Sequence, residues 1–153
     1  MILREAVPED AVRISELLTG LAEEFIVGEF SDEGRHHLLA HFGVAEMTVR
    51  LASAEYRFQV AEIDSALIGV VGVRDQTHLQ YLFVSKPYQR AGLARRLWKE
   101  ARRQAGNARG PFTVNASSYA VPAYERLGFT AVGAVQEKNG VRFQPMKWMA
   151  GHE

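Results

Sequence analysis

The sequence predicts an α+β fold on three observations. Apolar residues recur at helical spacing from Val12 to Leu21, a second capped helical segment runs to about His41, and from Tyr56 the period changes to that of strands. Beyond residue 90 short helical and strand patterns alternate, which is the signature of helices packed on a sheet. The 153 residues suit one domain spanning 1–153, and no internal repeat, linker or low-complexity tract divides them.

Each element has a local reason. Ile2 to Ala6 alternates as a short strand. Pro8-Glu9-Asp10 opens a helix over about 8–22, with proline in the first turn and acids facing the positive end of the dipole. Val12, Ile14, Leu17, Leu18 and Leu21 form its apolar stripe. Gly28 interrupts, and Ser31-Asp32-Glu33 caps a second helix that continues to about His41 or beyond. Phe58–Ile63 and Leu67–Val73 read as a hairpin turned by Asp64-Ser65. Arg74-Asp75-Gln76-Thr77 turns again into a strand from His78 to Val84. A helix follows from Gly92 to about Arg103, with Leu93, Leu97 and Ala101 on one face. Phe112–Asn115 is a short buried strand, Ser118–Leu127 is helical, and Gly128 supplies the left-handed cap. Asn139-Gly140 is the strongest hairpin signal, joining strands near 130–137 and 141–149.

Composition narrows the function. Eighteen basic residues balance eighteen acidic ones, so a nucleic-acid partner is not expected. The chain has no cysteine, which excludes a disulfide framework, a thiolate metal site and a cysteine nucleophile, and agrees with a reducing compartment. Met1-Ile2-Leu3-Arg4-Glu5 does not read as a signal peptide, and no apolar run approaches the roughly 20 residues of a membrane span. The expected location is therefore cytoplasmic, with no membrane partner. Asn115-Ala116-Ser117 matches the glycosylation pattern, a coincidence in a chain without a secretory signal.

The informative segment runs from His78 to Trp98. A strand ends Leu82-Phe83-Val84, a loop Ser85-Lys86-Pro87-Tyr88 follows, and Gln89-Arg90-Ala91-Gly92-Leu93-Ala94 opens a helix. Small residues at a helix start let backbone N–H groups approach an anion such as a pyrophosphate, although plain packing produces the same composition. Gln89-x-x-Gly92-x-Ala94 after Leu-Phe-Val resembles the acyl-CoA signature of the GNAT acetyltransferase superfamily. Val121-Pro122-Ala123-Tyr124-Glu125-Arg126-Leu127-Gly128-Phe129 resembles that family's helix ending in Tyr-Glu-Lys-x-Gly-Phe, and the element order fits along essentially the whole chain. Ala94 departs from the usual glycine by one methyl group.

The resemblance implies a three-layer fold: a mixed, mostly antiparallel sheet of about seven strands, with about four helices, splayed between its central strands. It implies acetyl-CoA as co-substrate, with no metal, and acetyl transfer to a primary amine of a small molecule or peptide. The pantetheine arm would pair with Leu82, Phe83 and Val84 as an added strand does, and a backbone N–H there would polarise the thioester carbonyl. Gln89, Arg90, Ala91, Gly92, Leu93 and Ala94 would hold the pyrophosphate. Lys86, Arg95 and Arg96 either reach the nucleotide phosphate or are solvated surface charge. Tyr124 falls where the family places its general acid, the group that protonates the departing thiolate. His78 is the candidate base, since histidine titrates near neutrality and the position matches a glutamate base of histone-type relatives. A backbone-bonded structural histidine with water as base is the competing reading. Asn115 would contact the CoA arm, or cap the next helix with Ser117 and Ser118.

Other clusters read as structural. His36, His37 and His41 form a polar helix face, for no carboxylate stands in a motif with them. Glu23, Glu24, Glu29, Asp32 and Glu33 form an acidic loop that is either solvated or attractive to a cationic amine. Trp98 and Trp148 are expected in the core. Two other functions fit the same pattern: an acyl-CoA-binding sensor without turnover, and a fold whose signature is structural and binds no CoA. Similar proteins also suggest a homodimer joined through terminal strands.

Overall fold

A computed structural model describes residues 1–106 and 108–151 of the chain. Eight strands form one sheet: β1 (Ile2–Glu5), β2 (Tyr56–Ile63), β3 (Ala66–Arg74), β4 (His78–Val84), β5 (Phe112–Ala116), β6 (Thr130–Ala131), β7 (Gln136–Lys138) and β8 (Val141–Trp148). The spatial order is β1-β2-β3-β4-β5-β8-β6, with β7 also paired to β8. Every pair is antiparallel except β4 with β5. Five α-helices cover it: α1 (Ala11–Phe25), α2 (Asp32–His41), α3 (Val44–Leu51), α4 (Leu93–Gln104) and α5 (Val121–Arg126).

The sheet carries a core on each face, as the predicted three-layer architecture requires. On one side Leu93, Leu97, Trp98 and Ala101 of α4 pack with Phe112, Val114, Met146 and Trp148. These α4 positions repeat at helical spacing and form a single buried stripe. On the other side Ile14, Leu18 and Ala22 of α1 and Met47 of α3 pack with Phe58, Val70 and Tyr81. Two glycines of β3 let these layers approach. A Cβ at Gly69 would stand 2.9 Å from Cδ1 of Leu97, and one at Gly72 would stand 2.6 Å from the Phe58 ring.

Both tryptophans lie in the core as expected, each 1% exposed and in edge contact at 5.6 Å. The Trp148 indole donates to the Leu127 carbonyl at 3.1 Å, fixing the end of α5 against the last strand. Asp10 is buried beneath the start of α1, accepting from Arg4 at 2.9 Å, Arg13 at 2.8 Å and the Val7 amide at 2.8 Å.

One added helix and two boundaries differ from expectation. The second helix ends at His41 and a separate α3 follows, because Gly43 is extended at φ −59°, ψ 155° and restarts the helix as an N-cap. Residues near 130–137 make two short strands, interrupted where the Val132 amide bonds the Pro145 carbonyl and Gln144 bonds Gly133. The first helix begins as a 3-10 turn at Pro8–Asp10 and runs on to Phe25, three residues past the predicted end.

Candidate functional site

The central strands part. β4 and β5 pair only through His78 with Thr113 and Leu79 with Val114. Gln80–Val84 on one side and Asn115–Ala116 on the other have no ladder partner across the gap, so two backbone edges face one another inside the sheet. β4 also carries an extra residue. Its register against β3 moves from Val73 with Leu79 to Gly72 with Tyr81, leaving Gln80 unmatched. Such a bulge inverts the alternation of side chains beyond it. Leu79 packs with the α4 core, yet Tyr81 two residues later packs with the α1–α3 core. Leu82 and Val84 return to the α4 side and Phe83 faces the other.

At the open end of the gap the chain forms a shaped loop. The Gln89 amide group donates to the Val84 carbonyl at 2.9 Å and its oxygen accepts from the Tyr119 hydroxyl at 3.3 Å. Gln89 therefore bolts the loop to the end of β4. Arg90 and Gly92 have φ of +63° and +83°, and Gly92 is the N-cap of α4. Arg90, Ala91 and Gly92 are exposed, Ala94 is half-buried and Leu93 is buried. The first amides of α4 have no acceptor within the helix, and they look out beside these small residues. Arg95 donates to the Arg126 carbonyl at 2.7 Å, and Lys86 pairs with Glu24 at 2.8 Å.

Tyr124 lies on the α4 side, in one apolar cluster with Leu82, Val84, Leu93 and Ala94. It is 8% exposed and its ring meets Phe129 edge-on at 5.4 Å. Among the described residues its hydroxyl has no hydrogen-bond partner, and burial pushes the phenol above its ordinary range. It stays protonated throughout the neutral region.

His78 stands at the closed end of the gap. From Val84 it is six residues down the strand, about 20 Å. Its Nδ1 is 2.8 Å from the Thr113 hydroxyl. Burial first, and then the Arg74 charge, holds its imidazole below the ordinary value, so it is neutral near pH 7. Since neighbouring Leu79 faces the α4 core, His78 faces the α1–α3 side, opposite Tyr124. Asn115 is exposed on that same side and lies within β5, so it caps no helix. Ser117 bonds the Ala120 amide instead.

Several contacts here have no signature in the sequence. Phe25 stacks on Tyr119 at 4.7 Å, and Ser118 donates to Glu29, so the end of α1 and its following loop reach the segment before α5. Glu24 and Glu29 of the acidic loop are thereby tied to protein partners. Over the sheet, Arg50 approaches His41 Nδ1 at 3.1 Å, and His41 Nε2 lies 3.2 Å from the Tyr81 hydroxyl. Arginine only donates, so Nδ1 accepts and the Nε2 proton goes to Tyr81. Burial and the Arg50 charge lower the His41 pKa to about 4. Among the described residues no three metal-ligating side chains stand together, and no helix is long and apolar enough to cross a membrane.

An open, mostly antiparallel α+β sheet splayed beside a helix N-terminus defines a class, and solved structures share it. A GCN5-related N-acetyltransferase from Rhodopseudomonas palustris is 20% identical and superposes with a TM-score of 0.79, covering 97% of this chain and 94% of that one. The PaiA N-acetyltransferase of Thermoplasma acidophilum, solved with coenzyme A, is 18% identical with a TM-score of 0.78 over 97% and 98%. An aminoglycoside 6'-N-acetyltransferase complexed with coenzyme A is 17% identical with a TM-score of 0.69 over 97% of each chain. No curated protein matches the sequence itself. The family model described as the acetyltransferase (GNAT) domain matches residues 26–150, and the chain belongs to the GNAT acetyltransferase family.

Proposed function

We propose that the protein transfers the acetyl group of acetyl-CoA directly to a primary amine of a small molecule or peptide. The observation that carries this reading is the gap between β4 and β5, open toward the Gln89–Ala94 loop and lined by unpaired strand edges. The fit is chemical. A Cβ on Gly92 would meet nothing within 4 Å, so the helix start is open to a pyrophosphate, and the loop offers amides rather than carboxylates. The edge of Leu82, Phe83 and Val84 offers the donors and acceptors that the amides of a pantetheine arm need. Asn115 borders the gap from the other strand through its unpaired backbone edge.

Acetyl-CoA supplies the activated acyl group. The residues supply position and protons. A backbone N–H at the β4 edge stabilises the oxyanion that forms when the amine attacks. Tyr124 holds its proton on the α4 side and delivers it to the leaving sulfur. A phenol raised by burial is a weaker acid than usual, but the same dry surroundings raise the thiolate acceptor as well, so the transfer stays close to balanced. His78, neutral and fixed by Thr113, accepts the amine proton directly or through water.

The test is thiol release from acetyl-CoA across a panel of amines. Amine-dependent release is expected, and Tyr124→Phe should lower kcat by roughly 10–1000-fold while leaving CoA affinity nearly unchanged. Full turnover in that variant removes Tyr124 from the mechanism. Calorimetric binding of CoA without release by any amine would make the protein a sensor.

A further inference from the structure

The closed end of the gap carries two cations, Arg74 and Lys147, that the acetyl-transfer scheme does not use. The strand register sets Arg74 opposite His78, His78 beside Thr113 and Thr113 opposite Lys147. Their chain neighbours Val73, Leu79, Phe112, Val114, Met146 and Trp148 all face the α4 core. Alternation therefore puts Arg74, His78, Thr113 and Lys147 together on the other face. Three strand spacings separate the ends of this row, about 14 Å. Thr113, Asn115 and Lys147 are exposed, so helices do not cover this part of the sheet and a small ligand can lie on it.

The charges in the row are poorly answered from within. The Arg74 Nε is buried without a hydrogen-bond partner, and its nearest acid, the 63% exposed Asp75, is 3.6 Å away. Lys147 makes no ion pair among the described residues. From the helices above, Arg50 adds a further cation beside His41, with Glu46 the nearby acid. At the opposite end of the gap Glu24 and Glu29 are engaged by Lys86 and Ser118. Arg74 and Lys147 are thus incompletely answered by acids of the chain, and two acids of the acidic loop, Glu24 and Glu29, already have protein partners.

We propose that the acceptor amine also bears a carboxylate, bound between Arg74 and Lys147 beside Thr113, so that amino acids are the substrates of this site. A guanidinium fork, an ammonium and a hydroxyl match the lone pairs of a carboxylate. The amine of the bound acid then points along the strands toward Gln80 and Asn115, where the gap opens. This assignment rests on the acetyl-transfer reading and narrows it to one substrate class.

The experiment compares kcat/KM for amino acids, their decarboxylated amines, their carboxamides, spermidine and O-phosphoethanolamine. The acids are expected to exceed their decarboxylated counterparts by about 10- to 100-fold, the scale of one or two charge-assisted bonds. Arg74→Gln and Lys147→Gln should each lower kcat/KM for the acid about tenfold and shrink the acid-to-amine ratio toward one. The CoA-induced rise in melting temperature should persist, which shows each variant folded. Equal or better turnover of the decarboxylated amines or of spermidine overturns the assignment while leaving acetyl transfer standing. A preference for O-phosphoethanolamine overturns the carboxylate in favour of phosphate. Absence of thiol release with every amine overturns both readings.

Discussion

Gly92 is the residue on which the phosphate loop turns. Its φ of +83° is a conformation that L side chains rarely adopt, while the space around its missing Cβ is empty. An alanine there is strained by backbone alone. Gly92→Ala should cost about 1 kcal/mol and lower the melting temperature by about 2–4 °C. CoA affinity measured by calorimetry should fall with it, because the loop amides move. Asp10 makes a different kind of contribution. Two guanidinium groups and an amide hold its carboxyl well below the ordinary 3.8. A depressed folded value means that the stabilisation is complete at neutral pH and fades as pH falls below about 4. Asp10→Asn should therefore destabilise by about 2–3 kcal/mol at pH 7, the scale of lost charged hydrogen bonds. The gap between the urea midpoints of the two proteins should narrow as the solution is acidified, and a constant gap would contradict the linkage.

At this scale the sequence was legible where a residue's role is local. Gly92, Gly128 and the Ser31 cap announce themselves by type and neighbours, and the structure gives Gly128 φ +100° and Ser31 a bond to the Gly34 amide. The His41–Tyr81 contact joins residues 40 apart, and Ser118–Glu29 joins residues 89 apart. Such pairings exist only once the sheet has formed, so a single sequence carries no trace of them. His41 illustrates the consequence: read as one of three surface histidines, it is half-buried and bonded to Arg50 and Tyr81.

Among the elements, the β7–β8 hairpin and α2 depend on one another. The turn at Asn139-Gly140 has φ of +54° and +79°, the mirror-image geometry that Asn-Gly favours. A Cβ on Gly140 would lie 2.6 Å from both the Gly34 nitrogen and the Ser31 hydroxyl, and a Cβ on Gly34 would lie 2.0 Å from the Gly140 carbonyl. The hairpin tip thus seats on the first turn of α2 with no room for a methyl group. Gly140→Ala combines backbone strain with a clash and should destabilise by about 2 kcal/mol or more. An unchanged melting temperature would mean that the tip and α2 separate freely. The hairpin was plain from Asn139-Gly140, but nothing in either segment named the other. The turns at Asp64-Ser65 and Asp75-Gln76 likewise adopt positive φ without glycine, which weakens their signal in the sequence.

For the whole molecule, ligand binding to the native state alone must raise stability by mass action. CoA at about one hundred times its dissociation constant should add about 2.7 kcal/mol and raise the melting temperature by about 5–10 °C. A flat melting curve would argue that the Gln89–Ala94 loop is only structural. Whereas the layering came only from the family resemblance, the order of helices and strands along the chain was readable because periodicity changes cleanly between them. The two-strand split near 130–137 was not, since it follows from side-chain and backbone bonds to β8 rather than from any break in pattern.

Where β4 and β5 separate there is a further result for how copies of the chain behave beside one another. An unpaired strand edge is ordinarily a template for sticking and for fibre growth. Here the open edges of Gln80–Val84 and Asn115–Ala116 face inward across a slot in mid-sheet, flanked by their own neighbours β3 and β8. The rims exposed to the crowd are β1 and the fragments β6 and β7, of four, two and three residues. Hydrogen-bonding capacity is thus held within a slot of the sheet rather than along its outer rim.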